Sequence, residues 1–141
     1  MATPLETIRH ETAREAAIAL TDLLEAPAGM LDEDDPEACA RREALEEVGL
    51  ELRQLEPLGM AWSCPGVSTE RMYLFLAPYS SSDRVAAGGG LAEENEDIEV
   101  VEMELAALWE LAERGGIQDL KTLVLVQALK LRRPELWGAG G

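Results

Sequence analysis

The spacing of apolar and polar positions changes along the chain, and the changes divide it into elements. Residues 11–20 are rich in alanine and read by propensity as helix. Leu23 and Leu24, followed by the stop at Pro27-Ala28-Gly29, read as a short strand entering a turn. Asp35-Pro36 opens a helix, because Asp caps free amides and Pro is pre-set for the first helical position. That helix is predicted to run to Val48 and to stop at Gly49. Leu55 to Trp62 reads as a strand interrupted by Pro57 and Gly59. Arg71 to Ala77 reads as a strand with an apolar, aromatic middle, and Ile98 to Met103 as another. Leu105, Leu108, Trp109 and Ala112, spaced by three and four, mark an amphipathic helix. Asp119 caps a last helix, largely apolar from Leu120 to Leu131, that ends before Pro134. Strands mixed with helices predict an α/β (α+β) chain whose sheet is covered on both faces.

Composition narrows the function. The 141 residues fit one ordinary domain, taken here as 1–141. Acidic residues number 28 against 12 basic, for a net charge of −16. Such a surface repels phosphate backbones and anionic lipid, which argues against nucleic-acid and membrane partners, and it attracts divalent cations. The longest apolar run is the six residues Met72 to Ala77, far below the roughly 20 of a spanning helix. Glu6, Glu11 and Glu15 interrupt the first twenty residues, which do not read as a secretory signal. Cys39 and Cys64 make neither a disulfide framework nor a zinc site, and the single His10 excludes histidine cages. Both cysteines read as packing residues, and Trp109 and Trp137 as core or edge aromatics. A cytoplasmic, reducing setting is expected.

The segment Arg41-Arg42-Glu43-Ala44-Leu45-Glu46-Glu47-Val48-Gly49-Leu50 carries the candidate chemistry. At about 100° per residue, Glu47 lies about 40° from Glu43 and Glu46 about 60° to the other side. Three carboxylates then share one face, while Leu45 points nearly opposite, toward the expected core, with Ala38 and Val48 roughly in line. Stacked acids repel one another unless a cation sits among them, and Mg²⁺ takes oxygen ligands. Taken alone, such a face is most often solvated surface.

The segment does not stand alone. Gly29-Met30-Leu31-Asp32-Glu33-Asp34, then Arg42-Glu43-Ala44-Leu45-Glu46-Glu47-Val48-Gly49-Leu50, resembles the signature of the Nudix hydrolases. The second half matches at nearly every fixed position. The first half is one residue short between Gly29 and Asp34, and Asp34 stands where the family has Glu. Ala44 is small for its aliphatic position. Ser63 to Glu70 resembles the Ser-Pro-Gly…Ser-Glu stretch of the ADP-ribose pyrophosphatases, with Pro65 sixteen residues after Gly49. Gly90 to Ile98 is similar to the catalytic loop of the same enzymes. Gly88-Gly89-Gly90 and Asp35-Pro36-Glu37-Ala38-Cys39 are similar to GDP-mannose-hydrolysing members, and Gly116 to Leu131, with Lys121-Thr122, fits the final helix of both.

The resemblance implies a Nudix fold, a mixed β-sheet sandwiched between helices. It also implies hydrolysis of a nucleoside diphosphate sugar by water activated on Mg²⁺, with Mn²⁺ as a substitute. ADP-ribose would give AMP and ribose 5-phosphate; GDP-mannose would give GMP and mannose 1-phosphate. Glu43 and Glu47 would be the main metal ligands, with Glu46 a third or outer ligand, the carbonyl of Ala28 at the Gly29 turn completing the site, and Glu96 a ligand of a further metal. Arg42 would orient an acid by ion pairing, and Glu94 would be the general base, with Glu93 in the same acidic loop. Arg9 would contact a phosphate, Gly29 the substrate by close approach, and Glu70 a sugar hydroxyl. Gly88 to Gly90 would be either a hinge for that loop or a plain linker. Relatives form homodimers through additional N-terminal strands that also hold the base. This chain begins with almost none of them, which implies a shortened variant or a fragment. The other class of reading is a nucleotide-binding module, or truncated remnant, without hydrolysis. Cleavage of damaged nucleoside triphosphates fits the Pro65 and Glu94 regions less well.

Overall fold

The computed structural model of the chain describes residues 7–9, 15–20, 24–27, 35–90 and 98–137. Among these residues six strands form one sheet: β1 (Thr7–Arg9), β2 (Glu15–Leu20), β3 (Leu24–Glu25), β4 (Glu56–Trp62), β5 (Arg71–Tyr79) and β6 (Glu99–Glu104). Their order is β3-β2-β1-β5-β4, with β6 on the other edge of β2. β1 runs parallel to β5 and the remaining pairs are antiparallel, so the sheet is mixed, as expected.

The expected helix at 11–20 is corrected over its second half. Glu15 to Leu20 is a strand that pairs with β6 at every residue, from Glu15 opposite Glu104 to Leu20 opposite Glu99. Alanine's helix preference is worth only tenths of a kilocalorie per residue, and this long-range ladder outweighs it. β4 keeps its strand through Pro57 and Gly59 by a register shift between them, with Gly59 at φ 111°. A bulge absorbs the residue that cannot pair.

Among the described residues, three α-helices flank the sheet: α1 (Pro36–Val48), α2 (Leu105–Glu113) and α3 (Leu120–Arg132). Side chains alternate along a strand, and β5 uses both faces. Leu76 joins Leu105, Leu108, Leu125, Val126 and Leu129 under α2 and α3. Its neighbour Ala77, with Tyr79, joins Ala44, Val48, Leu50 and Leu52 under α1. The sheet is therefore covered on both sides, in agreement with the sequence reading. α3 is not covered all round, since Leu120, Val124 and Leu131 remain exposed. Cys39 is buried, but Cys64 is exposed in the β4–β5 connection and packs in no core. Trp109 and Trp137 meet edge-to-face at 5.9 Å, with the Lys130 ammonium over both rings.

Candidate functional site

α1 begins and ends at local signals. The Asp35 side chain accepts from the Glu37 amide at 3.0 Å, and Gly49 closes the helix in the left-handed conformation at φ 74°. Within it, Glu43 and Glu47 are 8% and 5% exposed, whereas Leu45 is 41% exposed. This corrects the expected orientation. The buried arc runs from Glu43 through Glu47 and Ala44 to Val48, and Leu45 faces outward. Ala44, small at this position, lets the helix lie close over Ala77 and Tyr79, and that contact turns the two carboxylates inward. Glu46 is half-buried at the edge of this arc.

Arg42 Nη2 lies 3.4 Å from Glu43 Oε1 and 3.6 Å from Cys39 Sγ. The arginine thus holds one acid of the pair at its rim. Among the described residues, no three His, Cys, Asp or Glu side chains gather into a metal-binding group. Two buried carboxylates one helical turn apart nevertheless fit Mg²⁺, which is commonly held by one or two carboxylates with water and substrate phosphates filling the remaining positions.

Glu43 opens onto a cavity of about 580 Å³ between α1, the β4–β5 hairpin and the start of α3, in the size range of small-molecule sites. Glu70, Tyr73, Phe75, Cys39 and Lys121 share its wall. Glu43 and Glu70, 27 positions apart in the chain, are thereby brought to one space. Glu46 and Glu47 do not line it.

Lys121 was singled out in the sequence only as part of a matching helix. Its ammonium bonds to Glu25 Oε1 at 2.6 Å and to Asp119 Oδ1 at 3.0 Å. Burial pulls the lysine pKa down, but the hydrogen bonds and charges of Glu25 and Asp119 outweigh it and raise the pKa above the ordinary 10.5. The sequence carries one signal for it: a cation two residues after a capping Asp, at the head of a largely apolar helix.

The glycine run lies against the end of α1. Gly88, Gly89 and Gly90 have φ of 77°, 104° and 86°, and the last two donate to carbonyls of α1. Of the remaining expected site residues, Ala28, Gly29, Glu93, Glu94 and Glu96 lie outside the described residues. Arg9 ends β1 beside Tyr79, and its side chain also lies outside them.

The NUDIX domain model matches residues 3–125, most of the chain. The chain belongs to the NUDIX family. Its α+β fold is that of a Nudix domain. Among its relatives, this NUDIX chain is 44% identical over 110 residues to a GDP-mannose pyrophosphatase of Cronobacter sakazakii, covering 78% of this chain and 56% of the relative. It is 43% identical over 109 residues to one from Escherichia coli O1:K1 / APEC, covering 77% and 56%. It is 45% identical over 107 residues to one from Citrobacter koseri, covering 76% and 55%. The chain thus spans little more than half the length of these curated relatives. Among the described residues, no helix is long and apolar enough to cross a membrane.

Proposed function

We propose that this chain is a single-domain, cytoplasmic hydrolase that cleaves the pyrophosphate bond of a nucleoside diphosphate sugar with the help of Mg²⁺, for which Mn²⁺ can substitute. The observation that carries this reading is the buried Glu43–Glu47 pair, with Glu43 open to a cavity of ligand size in a NUDIX chain. The names of the relatives favour GDP-mannose, giving GMP and mannose 1-phosphate, over ADP-ribose.

A divalent metal, when bound, would neutralise the diphosphate and acidify a coordinated water. Glu43 and Glu47 would hold it, joined by Glu46 and the Ala28 carbonyl, with Glu96 a ligand of a further metal. Arg42, at 3.4 Å from Glu43, restrains that carboxylate. Glu94 would take the proton of the attacking water. Glu70, on the cavity wall, would accept a hydrogen bond from a sugar hydroxyl. Arg9 would neutralise phosphate charge, and the turn at Gly29 would let backbone approach the substrate. Lys121, its charge met by Glu25 and Asp119, ties the segment before α1 to the head of α3 at the cavity wall.

The test is to incubate the chain with GDP-mannose or ADP-ribose and Mg²⁺ and to quantify GMP or AMP. GMP release is expected, abolished by chelator and restored by added Mg²⁺. Glu47→Gln keeps the side-chain shape and removes a ligand charge. It should lower turnover at least about a hundredfold while the melting temperature holds. Failure of the intact chain to turn over either substrate would sink the hydrolase reading. Calorimetric nucleotide binding without product would then favour the binding module.

A further inference from the structure

The last turn of α1 carries Glu46 and Glu47, and a helix leaves its final carbonyls without partners of its own. Gly49 and Leu50 already close the helix in the usual way, their amides donating to the carbonyls of Leu45 at 3.0 Å and Ala44 at 3.3 Å. The carbonyls that follow are all taken by one other stretch of chain, Arg84 to Gly90. The Gly90 amide donates to the Glu46 carbonyl at 3.0 Å, and the Gly89 amide to that of Glu47 at 2.8 Å. Arg84 Nη1 donates to the Val48 carbonyl at 2.9 Å. The Val85 and Ala86 amides reach the Gly49 carbonyl at 2.9 and 3.3 Å.

The approach allows no side chain. A Cβ on Gly88 would lie 2.7 Å from the Glu47 carbonyl oxygen and from Val48 Cα, and one on Gly49 would lie 2.0 Å from the Ala86 oxygen. Arg84 is itself held from the sheet. Its Nη2 bonds to Glu102 Oε1 at 3.2 Å, and Glu102 Oε2 accepts the Tyr79 hydroxyl at 2.5 Å. The chain Tyr79–Glu102–Arg84–Val48 therefore links β5 and β6 to the end of α1.

We propose that Arg84 and the glycine segment are positioning elements for metal binding. They clamp the last turn of α1 so that Glu47 stays in register with Glu43 on the turn before it. Helix ends fray, and a cation held by both acids binds weakly to any population in which the last turn has opened. The inference rests on the metal role proposed for Glu43 and Glu47.

The experiment is Mn²⁺ binding to the full chain at 25 °C without substrate, followed by the electron paramagnetic resonance of free Mn²⁺. Wild type, Glu47→Gln, Arg84→Met and Arg84→Lys are compared, with circular dichroism confirming that each is folded. Glu47→Gln should abolish the tight site. Arg84→Met removes a charge-assisted hydrogen bond and should raise Kd about tenfold. Arg84→Lys, able to reach one of the two oxygens, should recover part of the loss. If Arg84→Met fails to fold, Glu102→Gln replaces it: the arginine stays but its anionic anchor is gone, and Kd should again rise severalfold. A Kd within twofold of wild type in the folded variant, with Glu47→Gln still abolishing the site, overturns the proposal while leaving the metal reading intact. Absence of any Glu47-dependent Mn²⁺ binding in wild type removes the metal reading, and the proposal with it.

Discussion

Thr122 offers a sharp test of how the cavity floor is held. Its hydroxyl accepts the buried Ala26 amide at 2.7 Å and donates to Asp119 Oδ2 at 2.6 Å, joining segments 96 residues apart. Thr122→Val keeps the shape and removes both bonds. A buried amide left without an acceptor costs about 1–3 kcal/mol, and loss of a bond to a carboxylate adds about 1 kcal/mol once the remaining partners of Asp119 are allowed for. Those partners are the Thr122 amide and Lys121. The sum is about 3 kcal/mol. With an unfolding entropy near 2.1 cal/mol/K per residue, a chain of this length loses about 0.3 kcal/mol per degree, so the melting temperature should fall by about 10 °C. Thr122→Ser keeps both bonds and loses one methyl group, for about 1 kcal/mol or about 3 °C. Calorimetric melts of the three proteins decide the matter. The more apolar substitution should be the worse one. A Thr122→Val protein melting within about 3 °C of wild type, or above Thr122→Ser, would refute the reasoning.

Other outcomes follow from the same geometry. Leu45→Lys should change stability by less than about 0.5 kcal/mol, because the side chain faces outward, whereas Ala44→Leu, forced between α1 and Ala77, should cost about 2 kcal/mol or more in urea unfolding. Gly49→Ala should be among the most damaging single changes, because the new methyl group would meet the Ala86 carbonyl at 2.0 Å in a left-handed backbone. A melting temperature near wild type would contradict that packing. Lys121 has a raised folded pKa, so its stabilisation is complete below the unfolded value near 10.5 and is lost as pH climbs through the folded pKa above it. Lys121→Met should therefore be less stable than wild type at pH 7 to 9 by about 2 kcal/mol, and the gap should narrow in urea titrations above pH 10.5.

Elements whose ends are written locally were legible in the sequence. Asp35, Pro36 and Gly49 bracket α1, and Asp119 opens α3, where its side chain accepts from the Thr122 amide at 3.1 Å. β2 was not legible, because nothing within Glu15 to Leu20 announces the partner strand some eighty residues later that decides its conformation. The same limit applies to the cavity. The motif named Glu43 and Arg42, whose side chains lie 3.4 Å apart. The pairing of Lys121 with Glu25 joins residues 96 positions apart that share no motif.

The orientation of α1 shows most clearly where periodicity stops being informative. A helical wheel fixes which residues share a face, but only a contact elsewhere fixes which face turns inward. Leu45 is the largest apolar residue between Arg41 and Val48, and burial by hydrophobicity alone would choose it. The helix instead seats Ala44 and Val48 on Ala77 and Tyr79, where small residues allow a close approach. Rotating the helix to that contact carries Glu43 and Glu47 out of water with it. Taking two carboxylates to 8% and 5% exposure one helical turn apart costs hydration, which Arg42 beside Glu43 offsets in part. Leu45 left in solvent forgoes about 1–2 kcal/mol of burial. Both costs fall on the segment with the family's motif, and a bound divalent cation would offset the first of them. Wild-type chain saturated with Mg²⁺ should accordingly melt higher than the metal-free chain. Glu47→Gln, which lacks one ligand charge, should gain little from Mg²⁺. If added Mg²⁺ raises both proteins equally, the cation binds elsewhere and the buried pair needs another explanation.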